Sequence, residues 1–543
     1  MTDEFEKLKD EVSKEALDKE LAKAKIEKKK TEMLIDLAHE NGAELFHDQY
    51  KDAFILLSNN GRKKILKLRS KEFRRWLAFR FWQDYGEAVS NDILGNAINT
   101  LEGEARYGSN SKMHKLNIRL TEYENAVWFD LGNEKAVRIS KTGWEIIENP
   151  PILFRRLQHQ EEQVEPKGGG NIFQILEFLN LKKSENSQKL SEQQLLFLIS
   201  LASKFIPNFP HPIDVFHGAQ GSGKTTISKI IKELVDPSII KGLAPSKDLR
   251  EFIQTCSHHW FVALDNINSL SNELSDALCR VVTGSGFSKR ELFSDDDDII
   301  YNFMHTVSIN GINLAPQKAD LLDRCLILEL ERIEHFRDEK RFWKKFQEVK
   351  PEILGAIFDV VVMALNHITD VPNCEFMRLQ DFGQWGCAIS LALGYSADDF
   401  LTAFKNNIDL QSREALDSSP VAQAIILLME DKDHWSGTPT QLLLELNSIA
   451  TSMVRDEMID TKSRYWPKDS HWLWRRAEEV LTNLDIHGIK IWRDRTGKKR
   501  LIHIEKNSST PEKKDDAVSN VMPTQNPEVS LETDEIDPPE LFE

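Results

Sequence analysis

Cysteine is scarce: Cys256, Cys279, Cys325, Cys374 and Cys387 are the five in 543 residues, widely spaced and without a CxxC pair. That excludes a disulfide scaffold and a zinc knuckle, and it fits reduced thiols in a cytoplasmic protein. Long apolar runs are missing too. No stretch approaches the ~20 residues of a spanning helix, so no membrane partner is expected. The first ten residues, MTDEFEKLKD, are charged, and no secretory signal is expected. No repeat of fixed period is found. Bases are in deficit, 70 Lys and Arg against 87 Asp and Glu, a net −17 that taken alone discourages a nucleic-acid partner. What remains is 40% hydrophobic and 29% charged, a mostly globular chain of about three or four domains.

The charge is segregated. Residues 506–543 hold ten acids against three lysines among Pro, Ser, Thr and Asn, so a disordered acidic tail is expected. Its end, DEIDPPELFE, either docks on a basic groove or is inert. Residues 62–80 (RKKILKLRSKEFRRWLAFR) hold nine bases and one acid. The bland reading is a solvated hairpin and a helix packing Phe73, Trp76, Leu77 and Phe81. The excess of bases favours a DNA footprint that includes Arg74 and Arg75.

The order of elements predicts a charged helix over 1–40, an α+β domain over 41–166 and a P-loop domain over 167–333. A helical region over 334–432, a winged-helix-like module over 433–505 and the tail follow. Asn59-Asn60-Gly61 predicts a hairpin turn, and Lys167-Gly-Gly-Gly170 a joint. Residues 470–484 predict one recognition helix capped by Ser470, with Trp474, Arg475 and Arg476. Lys498 and Lys499 lie on a basic wing after it. A protein-interaction module is the alternative for that layout.

Gly218-Ala-Gln220-Gly221-Ser222-Gly223-Lys224-Thr225 fits G-x-x-x-x-G-K-[ST], with an apolar strand before it and a helix, starting Thr225-Thr226, after it. Glycines let successive N–H groups curl inward onto an anion at a helix N-terminus. Lys224 would reach the β- and γ-phosphates of ATP, and the Thr225 hydroxyl would hold Mg²⁺. Trp260–Leu264 is apolar and ends in Asp265, a second candidate metal ligand. Asn266 follows; an amide orients water but cannot take its proton. Asn310 ends another apolar strand and is placed to position water. Arg324, in Leu321-Leu-Asp-Arg324, is a candidate finger for a neighbouring subunit's γ-phosphate, its alternative being a salt bridge with Asp320 or Asp323.

This series resembles the ring-forming AAA+ ATPases, above all the superfamily-3-type helicases of phage and plasmid primase–helicase proteins and related mobile-element ATP-binding proteins. The resemblance implies a hexameric ring with ATP at subunit borders. It also implies a hairpin in the channel gripping single-stranded DNA, here 283–293 with Lys289 and Arg290. Asp295 to Asp298 at the expected tip depart from that pattern, since they would repel phosphates. Whether the hairpin meets DNA or a neighbouring subunit stays open.

The expected fold is an α/β P-loop NTPase core, AAA+-like, with an N-terminal α+β domain, a helical region and a winged-helix-like end. The expected function is an ATP-dependent DNA helicase or translocase in replication. No second carboxylate set precedes Pro166, so a primase would be a separate partner. A DNA-binding switch or loader without unwinding, for instance in phage defence, and a small-molecule kinase are the alternatives.

Overall fold

The computed structural model describes residues 2–59, 62–184, 189–246, 248–267, 270–290, 298–311, 319–333, 338–374, 377–451, 459–463, 465–496 and 499–506. The Asn60-Gly61 turn, the Asp295–Asp297 run, Gly497-Lys498 and the tail from 507 lie outside the described residues.

The helix Thr2–His39 is not solvated along its whole length. Leu34, Leu37 and Ala38 are buried with Phe73, Leu77, Leu94 and Leu101, so its end belongs to the N-terminal core rather than to a separate unit. That core also takes in a sheet. Ala53–Asn59 pairs antiparallel with Glu44–His47 and with Arg62–Lys67, while Lys112–Met113 pairs parallel with Glu44–His47. Two helices, Lys71–Tyr85 and Asn91–Tyr107, start where Ser70 and Ser90 accept from the Phe73 and Ile93 N–H groups.

The next four strands form an antiparallel meander, Leu120–Tyr123, Ala126–Asp130, Lys135–Ser140 and Gly143–Glu148. Both of its faces are apolar. Val127, Phe129, Val137 and Ile139 join Phe205 and Phe358 in the largest core, while Ala126, Trp128 and Ala136 pack on Phe154. A sheet buried on two faces cannot close on a small domain of its own. The unit expected over 41–166 therefore divides after the first sheet, and its second half packs with the chain that follows.

The 167–170 segment is not a loose joint. The Lys167 N–H donates to the Pro351 carbonyl at 2.9 Å. A Cβ on Gly170 would stand 2.1 Å from the Glu352 carbonyl oxygen, and one on Gly355 would stand 1.9 Å from that of Lys167. The glycines are there so that the segment and the helix Glu339–His367 touch backbone to backbone. Residues Ile172–Phe178 form a 3₁₀ helix.

The central sheet is parallel, in the order Phe261–Leu264, Thr306–Asn310, Ile213–His217, Cys325–Glu329. Its strands are almost wholly buried because helices cover both faces. Ile227, Ile230 and Ile231 of Lys224–Val235 pack beside Phe216, Phe261 and Leu326, and Phe252, Leu274 and Leu278 beside Val215, Val262 and Ile309. The outer strand is shielded by the helix Ala397–Ser418. The Asn407 amide donates to the Ile327 carbonyl at 2.6 Å and accepts from its N–H at 3.0 Å, and Gln411 donates to the Cys325 carbonyl. Two side chains thereby replace a missing neighbour strand.

Helices Gln380–Ala392 and Pro420–Glu430 complete the helical region, but the latter shares its core with the C-terminal module. Val421, Ile425 and Met429 pack with Leu446, Leu473 and Ile504. That module holds Pro439–Ala450, Ser470–Glu478, Leu481–Ile486 and three strands in the order His434–Gly437, Lys499–Lys506, Ile489–Thr496. The single helix expected over 470–484 breaks at 479–480. Its cap is Asp469 rather than Ser470, for the Asp469 carboxylate accepts from the His471 and Trp472 N–H groups.

Candidate nucleotide-binding site

The site is built at the carboxyl edge of the parallel sheet, where strands hand over to loops. Ile213–His217 ends at Gly218, where a Cβ would stand only 2.6 Å from the Leu330 carbonyl oxygen. Gly221 and Gly223 adopt φ of 81° and 90°, where other residues are strained. Gly223 caps Lys224–Val235 without any side chain, so the first-turn N–H groups remain for a ligand. Gln220 is exposed, Thr226 half-buried and Ser222 fully buried.

Three features fit a magnesium nucleotide. The Ser222 hydroxyl is buried at the loop without a hydrogen-bond partner among the described residues. Lys224 Nζ donates to the Gly218 and Ala219 carbonyls at 2.6 and 2.9 Å, folded over the cradle that a phosphate would enter. Partial burial lowers its ammonium below the ordinary lysine value. Finally, the Thr225 hydroxyl donates to Asp265 Oδ1 at 3.2 Å, so both candidate metal ligands meet at one point. Among the described residues no group of three His, Cys, Asp or Glu side chains is placed to hold a metal.

Asp265 follows the buried strand Phe261–Leu264, and its N–H donates to the Leu243 carbonyl. Asn266 turns sharply at φ 55° with its side chain exposed. Asn310, 2% exposed, already has its amide engaged: Oδ1 accepts from the Asn266 N–H at 3.0 Å and Nδ2 donates to Ser228 Oγ at 3.4 Å. It braces the Asp265 turn against the phosphate-loop helix. Ser228 gave no signal in the sequence, because its role depends on a strand 82 positions away.

Arg324 lies at the other edge of the sheet. Its carbonyl accepts from the Ile213 N–H, and Cys325 stands opposite Ile213 while Glu329 stands opposite His217. The guanidinium is paired with Asp320 at 2.6 Å, and Asp320 is shared with Arg378. Within one chain, then, Arg324 forms the salt bridge that the sequence left as its alternative.

The foot of the phosphate-loop helix is a buried charge cluster. Lys232 donates to Asp236 at 2.8 Å and to the Phe261 carbonyl, and Arg119 reaches Asp236 at 3.2 Å and the carbonyls of Asp130, Glu161 and Pro237. Burial alone would raise the Asp236 carboxyl, but Lys232, His259 and Arg119 outweigh it and hold it well below the usual range. The cluster ties the meander to the helix that carries Lys224.

The candidate nucleic-acid contacts are scattered. Arg74 and Arg75 are exposed on Lys71–Tyr85. Lys289 and Arg290 lie on a strand, Phe287–Arg290, paired antiparallel with Asp298–Tyr301; Asp298 stands opposite Arg290 in that ladder rather than at the tip. Tyr50 of the N-terminal domain donates to the Asn302 carbonyl at the foot of this hairpin, at 2.6 Å. Arg475 is exposed over the Trp472 ring, whereas Arg476 is taken up by Glu479 and the Tyr465 ring. Lys499 begins the last strand, and Lys498 lies outside the described residues. No helix among the described residues is long and apolar enough to cross a membrane.

Parallel sheet, glycine cradle and the Thr225–Asp265 meeting point together define a P-loop-type α/β core. Residues 178–411 match the model of the actinomycete integrative conjugative element replication protein, and residues 421–519 match that of the same protein's C-terminal domain. Along these stretches the chain is similar to a mobile-element replication protein, the kind of system its helicase-type motifs resemble. The second match begins within Pro420–Glu430, the helix that shares the C-terminal core. No curated protein matches the sequence. Similar solved structures include the SCCmec type IV Cch helicase, at 12% identity and a TM-score of 0.45, covering 86% of this chain and 93% of that one. The NrS-1 C-terminal region is 10% identical, with a TM-score of 0.36, covering 88% of this chain and 99% of that one.

Proposed function

We propose that the chain is an ATP-driven motor on DNA, a helicase or translocase of a mobile-element replication system, working as an AAA+-like ring, taken as a hexamer. Lys224 and the loop N–H groups hold the phosphates, and Thr225 and Asp265 hold Mg²⁺, which neutralises charge on the phosphates when bound. Asn310 and Asn266 shape the place of the attacking water. Released from Asp320, Arg324 would stabilise the transferring phosphoryl group of the next subunit.

The observation that carries this reading is the division of the site between two edges of one sheet. Five residues of strand separate Arg324 from the loop, about 16 Å at ~3.3 Å per residue. An arginine so placed cannot serve its own nucleotide, but a head-to-tail neighbour can bring it to another's. In the C-terminal module, the strand–helix–helix–helix–hairpin order supports a winged-helix-like reading, with Arg475 and Lys499 as its DNA contacts.

ATP turnover with and without single-stranded DNA is the test. Stimulation is expected in the wild type, and Lys224→Ala and Arg324→Ala should each lose nearly all turnover. Unchanged turnover in Arg324→Ala overturns the trans-acting role. One observation favours a second reading, a DNA-binding switch without unwinding: Asn266, where a carboxylate would be expected to take water's proton, cannot do so. Turnover without strand displacement on a forked substrate would select it, and DNA-independent turnover would point to a small-molecule kinase.

A further inference from the structure

We propose that the outer face of the Lys71–Tyr85 helix is a platform for single-stranded nucleic acid, with Phe79 and Trp82 stacking on bases while Lys71 and Arg75 meet phosphates. The inference rests on the reading that the chain acts on DNA, and it adds a site away from the ring core. At ~100° per residue, positions 71, 75, 79 and 82 fall on one stripe of the helix. Phe73, Leu77 and Phe81 are buried on the opposite side and hold the helix to its domain. The outer stripe carries two bases and two large aromatics, with Phe79 and Trp82 54% and 55% exposed.

Their rings lie stacked, centroids 6.1 Å apart at 26°, as one exposed aromatic pair. The nearby acids are already engaged: Glu72 pairs with Lys64 at 2.7 Å and Asp84 with Arg80 at 3.4 Å. Cations beside uncovered rings suit a polyanion whose bases are free to stack, which a duplex does not offer. The Tyr50–Asn302 hydrogen bond fastens this domain at the foot of the 287–301 hairpin, so a strand leaving the hairpin has the platform within its own protomer.

Fluorescence anisotropy with a fluorescein-labelled oligothymidylate and the full chain tests this. Both rings are exposed, so Phe79→Ala/Trp82→Ala should keep the wild-type melting temperature and DNA-free ATP turnover. It should bind the oligothymidylate about tenfold or more weakly, with an unchanged salt slope and little change for a duplex. Lys71→Ala/Arg75→Ala should instead flatten the salt dependence. Wild-type affinity in the ring variant overturns the platform and leaves the motor standing, as does a ring variant that loses only self-association by light scattering. Wild-type protein that binds no oligothymidylate overturns the DNA reading itself.

Discussion

Asp236, at the foot of the phosphate-loop helix, neutralises two cations that are themselves about 1% exposed, Lys232 and Arg119. Asp236→Ala would leave both buried without a counter-charge, a loss of about 3–5 kcal/mol, read as a lower urea midpoint. Lys224→Ala, in the half-buried loop, should move that midpoint little while removing nucleotide binding. Near the cluster, burial pulls His258, His259 and His305 down to about 4. An unfolded imidazole titrates near 6.5, so the unfolded chain takes up these protons first. The stability these neutral rings support is whole above about pH 6.5 and is lost as pH falls toward 4. The melting temperature should drop across that window, and a flat profile would contradict the assignment. At this scale the sequence was legible where chemistry is local. Gly218, Lys224 and Thr225 sit within one loop, and Asp265 follows directly on its apolar strand. Ser228, Arg119 and Leu330 touch the site only through the fold, and no spacing rule reaches them. The exposure of Phe79 and Trp82 was equally hidden, since both sit in an aromatic-rich helix that reads as core.

Among elements, the closest approaches are backbone to backbone. Gly355→Ala would drive a methyl onto the Lys167 carbonyl, and separating the helix from its strap should destabilise by at least about 1–3 kcal/mol. Gly168, which has open space around it, should accept alanine with little change in melting temperature. The tri-glycine read as a joint because flexibility and close packing both favour glycine, and sequence does not separate them. The meander was placed in the wrong company for a related reason. It falls within the α+β span expected over 41–166, but which core covers each face is set by Phe205 and Phe358, far along the chain. The break after Glu478 is a tertiary effect as well: Val480 turns into the core at 4% exposure, where one straight helix would carry 470–484 past it.

At the scale of the whole molecule, one sheet carries the candidate nucleotide residues at its carboxyl edge and Arg324 at the other. A ring of such subunits would complete each site from two chains. The acidic total of −17 does not oppose this, because residues 62–80 hold nine bases and one acid while ten of the acids lie in residues 506–543. The most direct measurement is ATP turnover, with DNA present, of Lys224→Ala protein mixed with Arg324→Ala protein. Each is expected to be inactive alone. In a randomly mixed ring, about one border in four joins an intact loop to an intact arginine, so turnover should recover toward roughly a quarter of wild type. Two inactive variants that stay inactive when mixed into shared rings would contradict the account.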